Sequence, residues 1–452
     1  QSGVEPQQLY ENVAQLIKNK EVDQFIGIGQ QLSLFKNFFK PNSLFYSSTT
    51  DFINQFDKDL IENTTVLIKG ARSFEFERIS KILAQKLHDT QLEINLNAVV
   101  HNLNYYKSKL KPNVKLMAMV KAFAYGSGGD QIANLLQHNG VDYLAVAYTD
   151  EGYDLRKAGV KLPIMVLNPE VTSFDSIINF KLEPQIYSFR IFKAFADELL
   201  KRGLKDYPIH IKLDTGMHRL GFVEEEIPEL LDFIKSNKCF KISSVFSHLA
   251  ASENDLHQAY TTQQIAIYNR CVALIKSVLD YPFIKHIANT SAITKWPNAQ
   301  FDMVRLGIGL YGIENNQLER AHLQHVATLK TSISQIKELK KGDTVGYGRS
   351  GVMPKDGKIA TVKIGYADGF PRALGNGNGL MLINNQLVPT IGNICMDMTM
   401  LDITDTHVNI GDDVIVFGEG LDVYTLANQL KTIPYEVITN ISQRVKRVYY
   451  YE

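Results

Sequence analysis

Residues 115–129 read KLMAMVKAFAYGSGG, an apolar run of strand length that ends on Lys121 and continues into small residues, a tyrosine and a glycine cluster. This pattern places one amine at the tip of a strand. A lysine that is desolvated there loses part of its preference for the charged form, and its neutral amine can form a Schiff base with an aldehyde. The glycines allow the backbone to approach whatever the amine holds. The plainer interpretation is that Lys121 ends a buried strand and points into water, as most lysines do.

Outward from this stretch, strand-like apolar runs alternate with helical stretches between about Leu92 and Ala321. We predict that eight of these runs are the parallel strands of a (β/α)8 barrel. The runs are Lys115–Lys121, Tyr143–Ala147, Pro163–Leu167, Pro184–Tyr187, Pro208–Asp214, Ser243–His248, Ile284–Asn289 and Met303–Gly307. Barrels of this kind place their sites at the C-terminal ends of the strands. The polar residues at those ends are Lys121, Asp214, His248, Asn289 and Arg305.

The rest of the chain differs from the barrel pattern. Its length of 452 residues predicts about three domains. We predict an α/β protein in which a small α/β segment over residues 1–88 precedes the barrel over residues 89–325. Beyond the barrel, short strands and tight turns predict a mostly β C-terminal domain over residues 326–452. In the first segment we predict a helix over residues 9–17, a strand leading into a turn at residues 24–29 and again at 65–73, and a helix over residues 74–86.

Composition excludes several classes of function. The formal net charge is zero, so no basic field indicates nucleic acid or an anionic membrane as a partner. Small or zwitterionic substrates fit this balance better. No apolar run reaches membrane-spanning length, and the first thirty residues contain no basic segment followed by an apolar stretch, so we predict a cytoplasmic protein. The cysteines are too few and too scattered for a disulfide framework or a zinc site, and we predict no metal.

Two loops of the predicted barrel are suited to binding an anion. Barrels commonly bind phosphate with the loops after their seventh and eighth strands, which here contain Asn289-Thr290-Ser291 and Gly307-Ile308-Gly309. Hydroxyl groups and unhindered glycine amides suit phosphate oxygens. The alternative is a simple strand exit. Arg305 is a charge inside an apolar strand and therefore needs a partner, and a structural carboxylate is the plain alternative to a functional one.

Three strings together resemble one enzyme family. Residues 120–128, VKAFAYGSG, closely resemble the signature of alanine racemases, whose lysine carries pyridoxal 5'-phosphate; there the positions of Phe123 and Ser127 are more often polar or histidine. Residues 212–222, KLDTGMHRLGF, and 304–312, VRLGIGLYG, resemble further strings of that family. The resemblance implies a fold-type III isomerase that supplies D-alanine for the peptidoglycan of the cell wall.

The resemblance also assigns roles to individual residues. It implies that Arg305 faces the pyridine nitrogen, that His248 packs on the cofactor ring, and that Arg219 binds the phenolic oxygen and the substrate carboxylate. His286 is expected to support Arg305, and Lys212, if carbamylated, to hold Arg219. Because arginine does not give up its proton, the nitrogen stays unprotonated and the cofactor becomes a weaker electron sink. The residues predicted to hold the cofactor are Lys121, Tyr125, Arg219, His248, Asn289, Thr290, Arg305, Gly307 and Ile308.

Racemisation needs a second acid or base across Cα from Lys121. Tyr347, in TVGYGR at residues 344–349, resembles the second base of the family, and the alternative is an ordinary strand tyrosine. A tyrosine with a pKa near ~10 is a poor base at neutral pH, so neighbouring positive charge must lower it. Arg372 and the pair of Arg305 and His286 are the predicted sources. The resemblance implies that Tyr347 reaches the active site of another subunit in a head-to-tail homodimer.

The substrate pocket is expected to be bounded by Tyr366 and Met396, by the same resemblance. Gln443 departs from the family because many relatives carry a tyrosine there that contacts phosphate and narrows the pocket. This departure leaves open how strictly larger substrates are excluded. We therefore keep two enzyme alternatives, a racemase of broader amino-acid specificity and a decarboxylase of the same fold type, beside a non-catalytic carrier of pyridoxal phosphate.

The first segment carries a separate resemblance. Residues 1–88 resemble the end of a Mur ligase, the enzyme that adds D-alanyl-D-alanine, which indicates a ligase and racemase fusion as the parent protein. The sequence has no Gly-x-x-x-x-Gly-Lys-Ser/Thr loop to cradle ATP, so we expect this remnant to ligate nothing and to be a structural appendage.

Overall fold

A computed structural model describes residues 5–57, 61, 64, 66–76, 78–79, 83 and 90–451. The chain divides into two compact units, residues 1–87 and residues 88–452. Among the described residues, no helix has both the length and the apolar character that crossing a membrane requires.

The first unit is a small α/β arrangement, as predicted. Its elements are α1 (Pro6–Asn19), β1 (Ile26–Ile28), α2 (Gln30–Leu34), β2 (Leu44–Tyr46) and α3 (Thr49–Gln55). Strands β1 and β2 pair in parallel, with α2 in the connection between them. The strand predicted at 65–73 is wrong for the described residues, because 66–71 are irregular and a 3-10 turn follows at Arg72–Phe74. Most of the helix predicted at 74–86, and the boundary at 88/89, lie outside the described residues.

The second unit begins with β3 (Gln91–Asn95) and α4 (Leu96–Ser108) and continues into a parallel barrel. Its eight strands are β4 (Lys115–Met119), β5 (Tyr143–Val146), β6 (Ile164–Val166), β7 (Glu183–Ile186), β8 (Tyr207–Lys212), β9 (Phe240–Phe246), β10 (Ile284–His286) and β11 (Met303–Leu306). Seven neighbouring pairs form ladders in the order β10-β9-β8-β7-β6-β5-β4-β11. The seam between β10 and β11 is closed by two backbone bonds of 3.0 Å, from Arg305 N–H to the Ala288 carbonyl and from Asp302 N–H to the Lys285 carbonyl.

Helices follow the barrel strands in turn. They are α5 (Gly129–His138), α6 (Thr149–Lys157), α7 (Phe174–Asn179), α8 (Phe189–Lys201), α9 (Ile227–Ser236), α10 (Gln258–Lys276) and α11 (Thr290–Lys295), with α12 (Gln317–Arg320) after the eighth strand. All eight predicted strands are confirmed, and each ends one to three residues earlier than predicted. Lys121, Asp214, His248 and Asn289 consequently lie in the loops just beyond the strands, whereas Arg305 lies within β11.

A mostly β domain follows, as predicted. Its strands are β12 (Ala327–Leu339), β13 (Thr344–Val345), β14 (Gly351–Val352), β15 (Gly357–Val362), β16 (Leu380–Ile383), β17 (Gln386–Pro389), β18 (Thr399–Asp402), β19 (Asp413–Phe417) and β20 (Lys446–Tyr450), with helices α13 (Val423–Gln429) and α14 (Pro434–Thr439). The long strand β12 pairs with β3, β15 and β19, and β20 pairs with β3 in parallel. The strand that precedes the barrel therefore belongs to the sheet that follows it.

Candidate active site

The turn after β4 holds Lys121 in an unusual backbone conformation. The next four residues, Ala122 to Tyr125, all have φ between 51° and 55°, the left-handed region. Such a conformation costs an L-residue about 1–2 kcal/mol, so it persists only where surrounding contacts enforce it. Glu151 supplies one of these contacts, because its Oε1 accepts from the Ala122 N–H at 2.5 Å. Its Oε2 accepts from the Ala147 N–H at 2.6 Å and thus ties the turn to the end of β5.

The electrostatic surroundings of Lys121 favour a neutral amine. Burial lowers the pKa of Lys121, the charge of Arg219 lowers it further, and Glu151 partly opposes both effects. A larger fraction of the amine is then unprotonated near neutral pH, the form that attacks an aldehyde. Arg219 itself is exposed. Its loop is held by Asp214, whose Oδ1 accepts from the N–H groups of Gly216 and His218, both at 3.0 Å.

Arg305 is buried in β11 and its recorded partners are uncharged. Its Nη1 donates to His286 Nδ1 at 2.8 Å, and its Nη2 donates to the carbonyl oxygens of Ser247 at 2.7 Å and Ile287 at 3.0 Å. Nη2 also lies 3.3 Å from His248 Nδ1. Burial lowers the pKa of Arg305 to about 10, so the guanidinium remains charged at neutral pH. The partner of Arg305 is thus an imidazole, as expected for His286, and the contacts described here include no carboxylate.

Both histidines beside Arg305 are held neutral. Burial, followed by the charge of Arg305, lowers the pKa of His248 and of His286 well below the ordinary value of 6.5. His286 is completely buried and stacks on Phe246 with ring centroids 4.8 Å apart and an interplanar angle of 1°. A neutral planar ring can pack against another ring without the desolvation penalty of an ion.

Lys212 is a second lysine with an altered amine. It is buried, and burial together with the charge of Arg305 lowers its pKa well below the ordinary value. Its Nζ donates to the Leu213 carbonyl at 3.0 Å and lies 5.3 Å from the centre of the Phe246 ring. Burial therefore shifts this amine, at the end of β8, toward its uncharged form.

Three of the residues predicted to hold the cofactor, Tyr125, Thr290 and Gly307, converge. The Gly307 N–H donates to Thr290 Oγ1 at 2.9 Å. A Cβ added to Gly307 would lie 3.1 Å from Tyr125 Oη and 3.5 Å from Thr290 Oγ1, so a side chain here would fill the space between the two hydroxyls. Asn289 sits beside them, but its Oδ1 already accepts from Ser252 Oγ at 2.8 Å and from the first turn of α11. Ile308 begins the 3-10 turn at Ile308–Tyr311.

A different set of predicted residues lies on the β domain. Tyr347, Tyr366 and Met396, which we call the tyrosine patch, have 68%, 43% and 53% of their surface exposed. One loop joins them. The Tyr366 N–H donates to the Cys395 carbonyl at 3.1 Å, and Asn393 Nδ2 donates to the Tyr347 carbonyl at 2.9 Å. The structure therefore divides the predicted residues between a buried barrel site and an exposed patch.

Two further predicted positions lie apart from these groups. Arg372 is exposed at the start of a 3-10 turn, Arg372–Leu374. Gln443 contributes to a cavity of about 640 Å³ beside the Lys121 turn, which Ala122 and Phe123 also line.

Sequence reasoning missed the residue after Gln443, Arg444, which links two loops of the β domain. Arg444 donates to Asp368 Oδ1 at 2.7 Å and to Asp397 Oδ1, next to Met396, at 2.5 Å.

Sequence reasoning also missed Glu151. A signal for it exists, because an acid three residues into a predicted helix is typical of a capping box, and Glu151 occupies that position in α6. The N3 position explains the bond to the N–H of Tyr148, the N-cap residue, although the Tyr148 side chain makes no reciprocal capping bond. The additional bond to Ala122 joins two different loops, and a local sequence pattern has no means of indicating it.

The fold and the site together define a parallel β/α barrel with a lysine amine of lowered pKa just beyond its first strand. Comparison with known proteins narrows this class. The family description "Alanine racemase, N-terminal domain" matches residues 94–315, and "Alanine racemase, C-terminal domain" matches residues 326–449. Alanine racemase 1 of Caldanaerobacter subterraneus subsp. tengcongensis is 36% identical over 373 residues, which cover 80% of this chain and 95% of that protein. The alanine racemase of Methanococcus maripaludis is 37% identical over 80% of this chain and 99% of its own length.

Solved structures agree with these sequence matches. The alanine racemase of Clostridium difficile 630 has a TM-score of 0.75 and 35% identity, and the match covers 81% of this chain and 96% of that one. The enzyme of Bartonella henselae, with covalently bound pyridoxal phosphate, has a TM-score of 0.72 and 28% identity over 80% of this chain and all of that one. The chain belongs to the alanine racemase family.

Proposed function

We propose that the protein is a pyridoxal-phosphate-dependent isomerase that interconverts L-alanine and D-alanine with two bases. The observation that carries the proposal is the barrel site itself. There the amine of Lys121 has a lowered pKa, next to a neutral histidine and a buried arginine whose hydrogen-bond partners are uncharged. Membership of the alanine racemase family supports the same reaction.

The residues present fit the cofactor. Tyr125, Thr290 and the side-chain-free Gly307 between them form a cradle lined by hydroxyl groups. Because Thr290 Oγ1 accepts from the Gly307 amide, its own hydrogen is free to donate to a phosphate oxygen. The Ile308 amide and Asn289 adjoin this cradle in sequence and complete the proposed phosphate site. The uncharged His248 would pack on the ring, and Arg305 would face the ring nitrogen.

Each functional group in this site has a defined task. When bound, pyridoxal phosphate supplies electron withdrawal that makes the Cα proton of an attached amino acid acidic. Lys121 holds the cofactor and moves a proton at one face of Cα through its Nζ. Arg305 stays protonated at neutral pH, which keeps a proton off the ring nitrogen facing it. Arg219 binds the carboxylate of the substrate and the phenolic oxygen, and Lys212 is the proposed carbamate that holds Arg219.

The second base is assigned to the tyrosine patch. Tyr347 Oη moves the proton at the opposite face of Cα, from L-alanine, and Lys121 takes the proton from D-alanine. Tyr366 and Met396 bound the substrate, and Arg372 with the Arg305–His286 pair supplies positive charge. A base that works in a closed pocket is not expected to be 68% exposed, as Tyr347 is in a single chain. We therefore propose a head-to-tail homodimer in which each Tyr347 completes the barrel site of the other subunit.

The proposed setting is the supply of D-alanine for cell-wall peptidoglycan in the cytoplasm. The three cysteines, which are all free in the structure, are consistent with a reducing compartment. We further propose three parts, a remnant over residues 1–88, the barrel over 89–325 and the β domain over 326–452. The parallel pair of β1 and β2 around α2 supports a remnant of a Mur ligase fused to the racemase. Deletion of residues 1–87 is expected to leave racemase activity unchanged.

A time course of D-alanine formation from L-alanine by the purified protein with pyridoxal phosphate tests the proposal. Product well above the rate with pyridoxal phosphate alone supports racemisation. Parallel reactions with L-serine and a basic amino acid measure substrate breadth, which Gln443 leaves open, and release of CO₂ would indicate a decarboxylase. Absence of any product, in a protein that binds the cofactor through Lys121, would contradict the proposed reaction.

A further inference from the structure

Five consecutive barrel strands each contribute one polar side chain to a connected line across the barrel interior. Glu183 lies on β7, His210 on β8, Ser244 on β9, His286 on β10 and Arg305 on β11. His210 and Ser244 are register partners in the β8–β9 ladder, so their side chains point to the same side of the sheet. We call these five residues the cross-barrel network.

The links of the network are short and continuous. Glu183 Oε2 lies 2.8 Å from His210 Nε2, and His210 Nδ1 lies 2.6 Å from Ser244 Oγ. Ser244 Oγ lies 2.9 Å from His286 Nε2, and His286 Nδ1 lies 2.8 Å from Arg305 Nη1. The two histidines and Ser244 are completely buried, and the side chain of Glu183 is 13% exposed.

The direction of every hydrogen bond follows from the arginine. A guanidinium only donates, so His286 Nδ1 must accept and the proton of His286 must sit on Nε2. Nε2–H then donates to Ser244 Oγ, which leaves the hydroxyl hydrogen of Ser244 for His210 Nδ1. His210 in turn carries its proton on Nε2 and donates it to Glu183. The network therefore runs in one direction, from a cation at one end to a carboxylate at the other.

This arrangement has a consequence for the arginine. The near partners of Arg305 are neutral, and the network connects it to the carboxylate of Glu183 four strands away. In a low-dielectric interior, hydrogen bonds in series polarise one another, so the carboxylate strengthens His286 as an acceptor for the guanidinium. The same series fixes the His286 tautomer, because the alternative tautomer would place two donors 2.8 Å apart.

We propose that Glu183, His210 and Ser244 are positioning residues that act through His286 to hold and orient Arg305. This role rests on the proposed function, since Arg305 is the group assigned to the ring nitrogen of pyridoxal phosphate. None of the three touches the substrate. Their effect reaches the reaction through the placement of the guanidinium.

The first test reads the tautomers directly, without the reaction. The protein has 11 histidines, so selective ¹⁵N-histidine labelling gives a tractable spectrum. Protonated and unprotonated imidazole nitrogens resonate far apart, and the His286 signals are identified by their loss in His286→Asn. We expect both His286 and His210 to carry their proton on Nε2 in protein without cofactor. A proton on Nδ1 of His286 would overturn the proposal.

Two substitutions separate the hydrogen bonds from the charge. Ser244→Ala breaks the network and is expected to shift or broaden the His286 signals, whereas Glu183→Gln keeps an acceptor for His210 but removes the carboxylate. Thr261→Val is the matched control, because Thr261 is also completely buried but its hydroxyl has no recorded partner. It is expected to leave the His286 signals unchanged. Unchanged signals in Ser244→Ala would contradict the network.

The second test uses the enzyme loaded with pyridoxal phosphate. In Glu183→Gln we expect kcat to fall about 10-fold with KM nearly unchanged, because the loss lies in the orientation of a group that does not bind the substrate. The absorbance band of the bound cofactor is expected to shift, and Glu183→Asp to restore part of kcat. A KM change with constant kcat and constant absorbance would reject the positioning role. If no variant racemises alanine, the tautomer result still decides whether the network exists.

Discussion

The barrel site and the tyrosine patch differ in how far their side chains are buried and in what holds those side chains in place. Around Arg305 and His286 the side chains are almost wholly buried, and neighbouring strands fix their bonds and their charge states. The tyrosine patch is held through its backbone by one loop, and its side chains are open to solvent. One region is a finished environment within a single chain. The other exposes its side chains, and in the proposed homodimer the second subunit would cover them.

Substitution of the barrel lysine is expected to produce the largest effect. In Lys121→Ala the covalent attachment and one of the two bases are lost together, so we expect kcat/KM to fall at least about 10⁴-fold. The absorbance band of the cofactor linked to Lys121 should also vanish. Circular dichroism and thermal unfolding check that the barrel remains folded. Retention of that band in the variant would remove Lys121 from the centre of the site.

Substitution in the tyrosine patch should slow proton transfer while the cofactor stays bound. Tyr347→Phe deletes one hydroxyl, and we expect kcat to fall about 10²–10⁴-fold in both directions while KM changes little. The absorbance of the bound cofactor should match that of the unmodified protein. Tyr366→Phe is the control within the same patch, with a smaller expected loss. Normal racemisation by Tyr347→Phe would reject Tyr347 as the second base, and release of CO₂ instead of D-alanine would favour the decarboxylase alternative.

Mixing the two inactive variants tests whether the patch completes a site in another subunit. A hybrid dimer of Lys121→Ala and Tyr347→Phe has one site with both substitutions and one site with neither. After random exchange of subunits, activity should recover to about a quarter of that of the unmodified enzyme. If each site instead takes Lys121 and Tyr347 from the same chain, mixing recovers nothing. Refolding each variant alone is the control.

The difference between the regions also explains what the sequence could predict. The eight barrel strands are continuous apolar runs, and Lys121, His248 and Arg305 stand out at their ends, so pattern and resemblance locate them. Bonds between distant loops have no such signal: Glu151 joins the turn after β4 to the end of β5, and Glu183 reaches Arg305 only through three other strands. In the sequence these residues are indistinguishable from ordinary polar positions, because only the folded barrel brings their partners close.

Acid stability should distinguish the buried region from the exposed patch. The lowered pKa values of His248 and His286 mean that the unfolded chain takes up two protons below about pH 6.5 that the folded chain does not. The free energy of unfolding therefore falls as the pH drops below that value, by up to about 2.7 kcal/mol per pH unit for two such groups, until the folded state itself titrates.

Urea midpoints of cofactor-free protein between pH 7.5 and 5.5 measure this slope. His248→Gln should reduce it, whereas Tyr347→Phe, in the exposed patch, should have the same slope as the unmodified protein. An equal slope in His248→Gln would mean that the pKa of His248 does not differ between the folded and unfolded states.

The smallest expected effect lies at Glu151, which binds the backbone of the Lys121 turn and also influences the pKa of Lys121. The carboxylate raises the pKa of Lys121 against burial and Arg219, so Glu151→Gln should shift the pH profile of cofactor attachment to lower pH. The glutamine side chain has only one acceptor oxygen, so it can bind only one of the two loops that Glu151 joins. The lost hydrogen bond is expected to destabilise the left-handed turn by about 1–3 kcal/mol. Asp150→Asn is the matched control, since it removes an adjacent charge that makes no bond to Ala122.

Arg219→Gln should shift the profile the opposite way, to higher pH, because a neighbouring cation is lost. Identical profiles in Glu151→Gln and the unmodified protein would mean that the Glu151 carboxylate does not influence the pKa of Lys121, and that burial and Arg219 set it.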